Sequence, residues 1–256
     1  MKNILRGQIY MLPKYIISHF VFIGIATIMV LTAFFTIKAS PMLIQNAGIF
    51  ACVPDILGSL ISVSYIFILT AQVCLSDFSD KTSYYELMGG HTRLEVYFGR
   101  AIPCIVLGTL GTLVLMIVPD ITATFLLGWG GDIPLGQIIL RRLLLVFPLM
   151  RICCECVFLS FLIRNMVAIM VTGYLVFLFG GYISSLNSSP WLATTSISML
   201  YETDVWTTYG LDSKIHFSFG ASLQPETIVS VILVSLAAGA ISLIMGYFFF
   251  AKDDMN

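Results

Sequence analysis

Long apolar runs, separated by short polar connectors, take up most of this chain and restrict what it can fold into. Four of them carry no Asp, Glu, Lys or Arg: 23 residues between Lys14 and Lys38, 21 between Asp55 and Asp77, 19 between Arg100 and Asp120, and 25 between Glu226 and Lys252. Two further runs cover residues 143–163 and 165–183, and the first of these is interrupted by Arg151 and Glu155. A helix needs about 20 apolar residues to cross the hydrocarbon layer of a bilayer. The sequence therefore predicts six transmembrane helices.

Composition supports the same fold class. Of the 256 residues, 58% are hydrophobic and 11% are charged. A soluble domain carries about 25% charged residues, so this chain could not cover its own surface with groups that water solvates. We predict an all-α integral membrane protein, a single transmembrane domain that occupies the lipid bilayer. Its spans are expected at about 15–37, 56–76, 99–119, 143–163, 165–183 and 227–251. The net charge of −1 gives no support for nucleic-acid binding.

The distribution of Lys and Arg predicts the orientation of these spans. With the N-terminus in the cytoplasm, eight basic residues fall on inner segments: Lys2, Arg6, Lys14, Lys81, Arg93, Arg100, Arg164 and Lys252. Four fall on outer segments: Lys38, Arg141, Arg142 and Lys214. Cytoplasmic connectors carry the excess of positive charge in membrane proteins. We therefore predict that both termini are cytoplasmic and that the protein lies in a cell membrane, of the bacterial plasma-membrane type.

Two segments outside the spans have patterns of their own. Residues 1–13 place Leu5, Ile9 and Leu12 on one helical face, which predicts an amphipathic helix in the inner interface. An ordinary positively charged flank is the alternative. Residues 186–225 form the largest outer segment, and their aromatic side chains favour either a small cap over the spans or contact with the membrane interface.

The largest cytoplasmic segment, residues 77–98, has the pattern of two helix starts. Two residue pairs have capping-box spacing, Ser83 with Glu86 and Thr92 with Glu95. Gly89 and Gly90, which lie between the pairs, are typical of a helix C-cap. The first helix would present an apolar and aromatic face formed by Tyr84, Tyr85, Leu87 and Met88. That face either binds a partner in the cytosol or folds back against the inner membrane surface.

The fourth span contains two charges far from its ends. Arg151 and Glu155 are four residues apart and so share one helical face. A charge near the middle of a bilayer costs at least about 2.5–3.5 kcal/mol on insertion scales, which favours pairing within the helix. Two interpretations remain open: the pair lines a translocation path or subunit contact, or it is a self-neutralised structural pair.

The last span has a pattern of small residues that favours close helix packing. Ser235 and Gly239 are four residues apart, as are Ala238 and Ser242, and Gly246 lies one heptad beyond Gly239. Small residues let helix backbones approach each other where lipid supplies no hydrophobic drive between helices. We expect this face to contact another span.

The motifs of common catalytic and metal sites do not occur in this chain. It has neither a P-loop nor an HExxH pattern, and Glu155 is the one Asp or Glu inside a predicted span. Cys153 and Cys156 form a CxxC without a second pair to complete a zinc site, so the six cysteines are expected to pack as small hydrophobes. We predict no catalysis by this chain alone, no metal and no bound cofactor.

Taken together, these features resemble the type-two permease subunits of ABC exporters. The resemblance rests on three stretches: residues 1–13, the Glu86 to Arg93 stretch ELMGGHTR within the cytoplasmic segment, and Phe161 to Asn165 at the end of the fourth span. The order of spans, with the largest outer segment before the last one, is similar to that family over the whole chain. The relatives include exporters of bacteriocins, lantibiotics and toxin peptides.

The resemblance implies a division of labour between this chain and a separate ATP-binding subunit. Residues that would act as a coupling helix against that subunit are Tyr84, Tyr85, Glu86, Leu87, Met88, Gly89, Gly90 and Arg93. ATP and Mg would be held by the partner, and six spans imply a homodimer with two ATPases. Tyr65 and Gln72 of the second span, with Arg151 and Glu155, are candidates for the translocation path or a subunit contact.

The cargo expected from this resemblance is an amphipathic or hydrophobic molecule such as a peptide. Two other functional classes remain open. The chain could be a membrane anchor or immunity protein that moves nothing, or a small secondary carrier.

Overall fold

A computed structural model describes most of the chain. The described residues are 16–39, 44, 46–52, 56–79, 88–130, 134–163, 165–186, 191–201, 205–209, 215–219 and 223–252. Three of the predicted features lie outside them: the interfacial helix at residues 1–13, the capping box of Ser83 with Glu86, and the aromatic face from Tyr84 to Leu87.

The described residues form helices joined by short connectors, with one pair of strands. The helices are α1 (Ile16–Ala39), α2 (Ala47–Cys52), α3 (Ile56–Ser79), α4 (Arg93–Leu127), α5 (Leu135–Leu144), α6 (Val146–Ile163), α7 (Met166–Leu186), α8 (Ala193–Tyr201) and α9 (Pro225–Lys252). The strands are β1 (Val205–Tyr209) and β2 (Ile215–Phe219). They pair antiparallel and follow α8 and precede α9 in the chain. The sequence predicted an all-α fold, and this hairpin departs from that prediction. Both strands are rich in β-branched and aromatic residues, VWTTY in β1 and IHFSF in β2, a composition that suits strand pairing.

Five helical segments of the described chain are long and apolar enough to cross a membrane. They are His19–Ala39, Arg93–Leu127, Leu135–Ile163, Met166–Ile183 and Pro225–Lys252. The expected second span coincides with the 24-residue helix α3, within which Ser59–Leu75 forms a shorter apolar stretch. The chain therefore has the build of a multi-pass membrane protein, and a sixth span at α3 stays a prediction.

Helix α4 is longer than the predicted third span at both ends. Thr92 caps its N-terminus: its side chain accepts a hydrogen bond from the amide of Glu95, and the Glu95 carboxylate accepts one from the amide of Thr92. This confirms the second capping box. At the other end the helix continues past Pro119 to Leu127 and stops at Gly128, whose φ of 74° lies in the left-handed region. Asp120 therefore belongs to a helix rather than to a connector.

Helix α6 lies at the centre of the bundle and packs against α3, α4, α7, α8 and α9. Its contact with α9 uses the predicted small residues, since Ser235, Gly239 and Gly246 are all buried. A Cβ atom added at Gly246 would lie 3.3 Å from the Cα of Phe158, and one at Gly239 would lie 3.7 Å from the Cα of Arg151. The two backbones approach closely, as the small-residue pattern predicts.

Candidate functional site

The ionisable side chains of α6 form one hydrogen-bonded ion pair. Nε of Arg151 lies 2.7 Å from Oε1 of Glu155, one helical turn away. The Arg151 side chain is 9% exposed, and that of Glu155 is 30% exposed. The guanidinium is thus enclosed by protein, whereas the carboxylate reaches an open space beside the helix.

Arg151 also contacts the segment that leads into α8. Its Nη2 donates a hydrogen bond of 2.6 Å to the carbonyl oxygen of Trp191. At the other end of α8, Nη1 of Arg141 donates a hydrogen bond of 3.1 Å to the carbonyl of Leu200. Helix α8 is therefore held at both ends by guanidinium groups of α5 and α6. Charge-assisted hydrogen bonds of this kind are about twice as strong as neutral ones.

The neighbouring residue Arg142 forms a second ion pair. Its Nε lies 2.7 Å from Oδ2 of Asp120 and its Nη2 lies 3.0 Å from Oδ1, so the contact is bidentate. Nη2 also donates to the carbonyl of Ala51 at 3.2 Å. Arg141 and Arg142 fall on a predicted outer segment and so count against the predicted orientation. The structure gives both of them a structural role. They join α5 to α8, α4 and α2.

A small cavity lies between α6, α7 and α8, beside the ion pair. It has a volume of about 50 Å³ and is bounded by Phe67 of α3 on its inner side. Most of its wall is apolar, and the polar groups are Glu155 and Thr194. Oγ1 of Thr194 is buried without a hydrogen-bond partner among the described residues. A buried hydroxyl usually has a partner, so this atom marks a place where a bound group could supply one.

The two path candidates on α3 lie elsewhere, inside the bundle. Tyr65 is 9% exposed, its ring meets that of Phe22 edge-on at 5.2 Å, and it fills the space beside Gly111. Gln72 is 8% exposed. The structure does not bring either residue to the cavity. Phe67 lies there instead; the sequence grouped it with Tyr65 and Gln72 as part of an apolar route along the second span, without separating it from the other apolar residues there.

Thr194 was also missed, for a different reason. It lies in α8, within the segment that was predicted only as an outer region of aromatic residues. No apolar run long enough to predict a span marks α8, and its burial comes from contacts with α6, α7 and α9. Thr195 and Ser196 of the same helix are buried. Such a short, polar but buried helix is visible only in the folded chain.

The described end of the segment that was predicted to be cytoplasmic forms a fixed start to α4. Met88 is 70% exposed, and Gly90 has a φ of 87°, which turns the chain before Thr92. The guanidinium of Arg93 donates a hydrogen bond to the carbonyl of Ala251 in the last turn of α9. Arg93 thus links the beginning of α4 to the end of the final helix.

The five cysteines of the described side chains are buried and are not in disulfides. No group of three or more His, Cys, Asp or Glu residues that could hold a metal ion occurs in the described part of the chain. In particular, Cys153 and Cys156 lie in the core beside α4: Oγ1 of Thr109 lies 3.5 Å from Sγ of Cys153. Their packing is that of small hydrophobic residues.

Comparison with known proteins gives no assignment for this site. No protein-family model matches the chain, and no curated protein sequence has significant similarity to it.

Proposed function

We propose that this chain is the membrane-spanning permease subunit of an ATP-driven exporter of the ABC class. It would move an amphipathic or hydrophobic substrate, such as a peptide, out of the cell together with a separate ATP-binding subunit. The apolar helices supply the membrane part that such a subunit requires. ATP and Mg would be bound by the partner, and two copies of this chain with two ATPases would form the complex.

The observation that supports this proposal best is the fixed first turn of α4. The capping box fixes the first turn of the helix, and Arg93 ties that turn to the end of α9. Immediately before it, Met88 offers an apolar side chain that the described chain leaves 70% exposed. Met88 is the last residue of the apolar face that the sequence predicts from Tyr84, and a contiguous apolar patch is typical of a contact with another protein. A subunit that pushed on this segment would move α4 and α9 together.

The orientation belongs to the same proposal. Residues 77–98 and both termini would be cytoplasmic, with residues 186–225 outside. The positive-charge distribution supports this arrangement, because the predicted inner segments carry eight basic residues and the outer ones four.

The test is copurification from native membranes. The chain is affinity-purified in mild detergent, and an ATP-binding subunit is identified by mass spectrometry and by ATP hydrolysis. The double variant Tyr85→Ser with Leu87→Ser should lose at least most of the copurifying ATPase because it removes the apolar face of the segment. The matched control is Phe125→Ser, which removes an aromatic ring that is 86% exposed at the opposite end of α4.

The outcomes distinguish the functional classes. Loss of the ATPase in the double variant but not in the control supports the permease assignment. Full retention in both variants contradicts it. Copurification of a partner without nucleotide-binding motifs would favour the membrane anchor or immunity protein, and substrate uptake driven by an ion gradient without ATP would favour a secondary carrier.

A further inference from the structure

The cavity beside Glu155 combines three features that together are typical of a binding site. Its two polar groups come from different helices, Glu155 from α6 and Thr194 from α8. Both groups have hydrogen-bonding capacity to spare in the described structure: the carboxylate is partly exposed, and Oγ1 of Thr194 is buried without a partner. The rest of the wall is apolar. An apolar wall with a few placed polar groups is the usual build of a small-molecule site.

The charge of the site restricts what it can hold. The negative charge of Glu155 is balanced by Arg151 at 2.7 Å, so the pair is neutral as a unit. A cationic ligand would leave one positive charge without a counter-ion, and an anionic ligand would face the carboxylate. Each case carries the cost of an unbalanced charge in a weakly hydrated environment. A neutral group that donates a hydrogen bond meets no such cost.

The size and position of the cavity restrict the ligand further. A volume of about 50 Å³ takes a small group rather than a whole lipid or peptide. Val176 lines the cavity and is 56% exposed, so the cavity reaches the surface of α7 that faces away from the helix bundle. Next to it on that surface lies Phe179, which is 63% exposed. The remainder of a bound molecule would therefore lie along an apolar face.

From these observations we propose that the cavity between α6, α7 and α8 is a binding site for a neutral amphiphile. The hydroxyl or amide end of the molecule enters the cavity, donates to the Glu155 carboxylate and forms a second hydrogen bond with Oγ1 of Thr194, and its apolar tail lies against α7. Two sources share this chemistry: a hydroxyl-bearing membrane lipid and a solute that the protein transports. The site is complete within one chain, so its test needs no ATPase and its failure leaves the permease proposal standing.

The experiment uses the purified full chain in phosphatidylcholine vesicles and a diazirine-bearing octanol as the probe. After illumination, labelled peptides are mapped by mass spectrometry. We expect saturable labelling of peptides that contain residues 152–159 and 173–180. Unlabelled octanol should compete, whereas a diazirine-bearing octane without the hydroxyl should label the same peptides only weakly.

Three variants test the geometry. Thr194→Val removes an unpartnered hydroxyl with little change of shape, so the fold should be kept while labelling weakens about three- to tenfold, the equivalent of one neutral hydrogen bond. Gly180→Ala adds a methyl group to the cavity wall, 3.0 Å from Oγ1 of Thr194, and should also reduce labelling. Gly181→Ala is the matched control, because a Cβ atom there meets nothing within 4 Å.

Diacylglycerol added to the vesicles distinguishes the sources. Displacement of the probe by a low fraction of diacylglycerol identifies a membrane-lipid site, and displacement only by octanol added from water identifies a solute site. Either result supports the proposal. It is overturned if labelling does not saturate, if the octane analogue labels as strongly as the octanol, or if Thr194→Val and Gly180→Ala label as strongly as Gly181→Ala.

Discussion

The Arg151–Glu155 and Arg142–Asp120 ion pairs should contribute unequally to stability, and a pair of double-mutant cycles can measure the difference. The first cycle replaces Arg151 and Glu155 by Met, singly and together. Arg151→Met leaves the Glu155 carboxylate without its counter-ion and removes the donor to the Trp191 carbonyl. Breaking a buried ion pair costs about 3–5 kcal/mol. Because Glu155 is 30% exposed, some solvation remains, and we expect a loss of about 3 kcal/mol.

Glu155→Met should cost less than Arg151→Met, and the double variant should cost less than the sum of the two single variants. Glu155→Met leaves Arg151 with its bond to the Trp191 carbonyl, and we expect a loss of about 2 kcal/mol. Replacing both members of a buried pair by apolar residues is often close to neutral. Here the bond to Trp191 is still lost, so we expect a total near 2 kcal/mol. The coupling energy is then roughly 3 kcal/mol, at the upper end for residues in contact.

The second cycle applies the same reasoning to Arg142 and Asp120. This contact has two hydrogen bonds, of 2.7 and 3.0 Å, and its side chains are 11% and 12% exposed. A bidentate pair from which water is better excluded should couple more strongly. We therefore expect a larger coupling energy for Arg142→Met with Asp120→Leu than for the first cycle.

The assay is SDS-induced unfolding in mixed micelles, followed by far-ultraviolet circular dichroism, which gives a free energy of unfolding for each variant. Single and double variants are compared under one detergent composition. A coupling energy below about 0.5 kcal/mol for Arg151 and Glu155 would mean that the two side chains act independently. That result, or a reversed order of the two pairs, would refute the reasoning from burial and geometry.

Three further predictions concern packing, capping and orientation. Gly246→Leu should destabilise the protein by more than about 3 kcal/mol, because a side chain there meets the backbone of α6, whereas Gly24→Ala in α1 has open space and should be neutral or stabilising in the same unfolding assay. Thr92→Ala should cost about 1 kcal/mol by removing the cap of α4, and Thr92→Ser should restore most of it. In a background without native cysteines, Met88→Cys should react with a membrane-impermeant maleimide only in opened cells and Ser188→Cys already in intact cells; the opposite pattern would reverse the orientation.

The sequence contains enough information for much of the helical framework, because its signals there are local. Uninterrupted apolar runs predicted the long helices, the spacing of Thr92 and Glu95 predicted the start of α4, and the small residues from Ser235 to Gly246 predicted a close helix contact. The C-terminal end of α4 was harder to predict from the sequence. The charge at Asp120 set the predicted boundary, yet the helix continues past it to Leu127, because Arg142 pairs with the Asp120 carboxylate.

The sequence predicted the ion pair of the candidate site but not the hydrogen-bond acceptors of the arginine side chains. Arg151 and Glu155 stand out as charges in an apolar run, and their spacing predicts the contact between them. The partners of Arg141 and the second partner of Arg151 are backbone carbonyls of Leu200 and Trp191. Every residue has a carbonyl, so no residue type identifies which one is used. The position of α8, and with it the cavity wall at Thr194, follows from tertiary contacts.

The same guanidinium connects the stability of the ion pair to the shape of the cavity. Arg151 holds Glu155 through Nε and the entry to α8 through Nη2, so the two polar groups of the cavity owe their positions to one side chain. Arg142 pairs with Asp120 and contacts Ala51, none of which lines the cavity. We therefore expect Arg151→Met to lower both the free energy of unfolding and the labelling by the octanol probe. Arg142→Met should lower stability and leave the labelling of the remaining folded protein unchanged. Equal labelling in both folded variants would show that Glu155 and Thr194 keep their places without Arg151, and that the ion pair serves the fold alone.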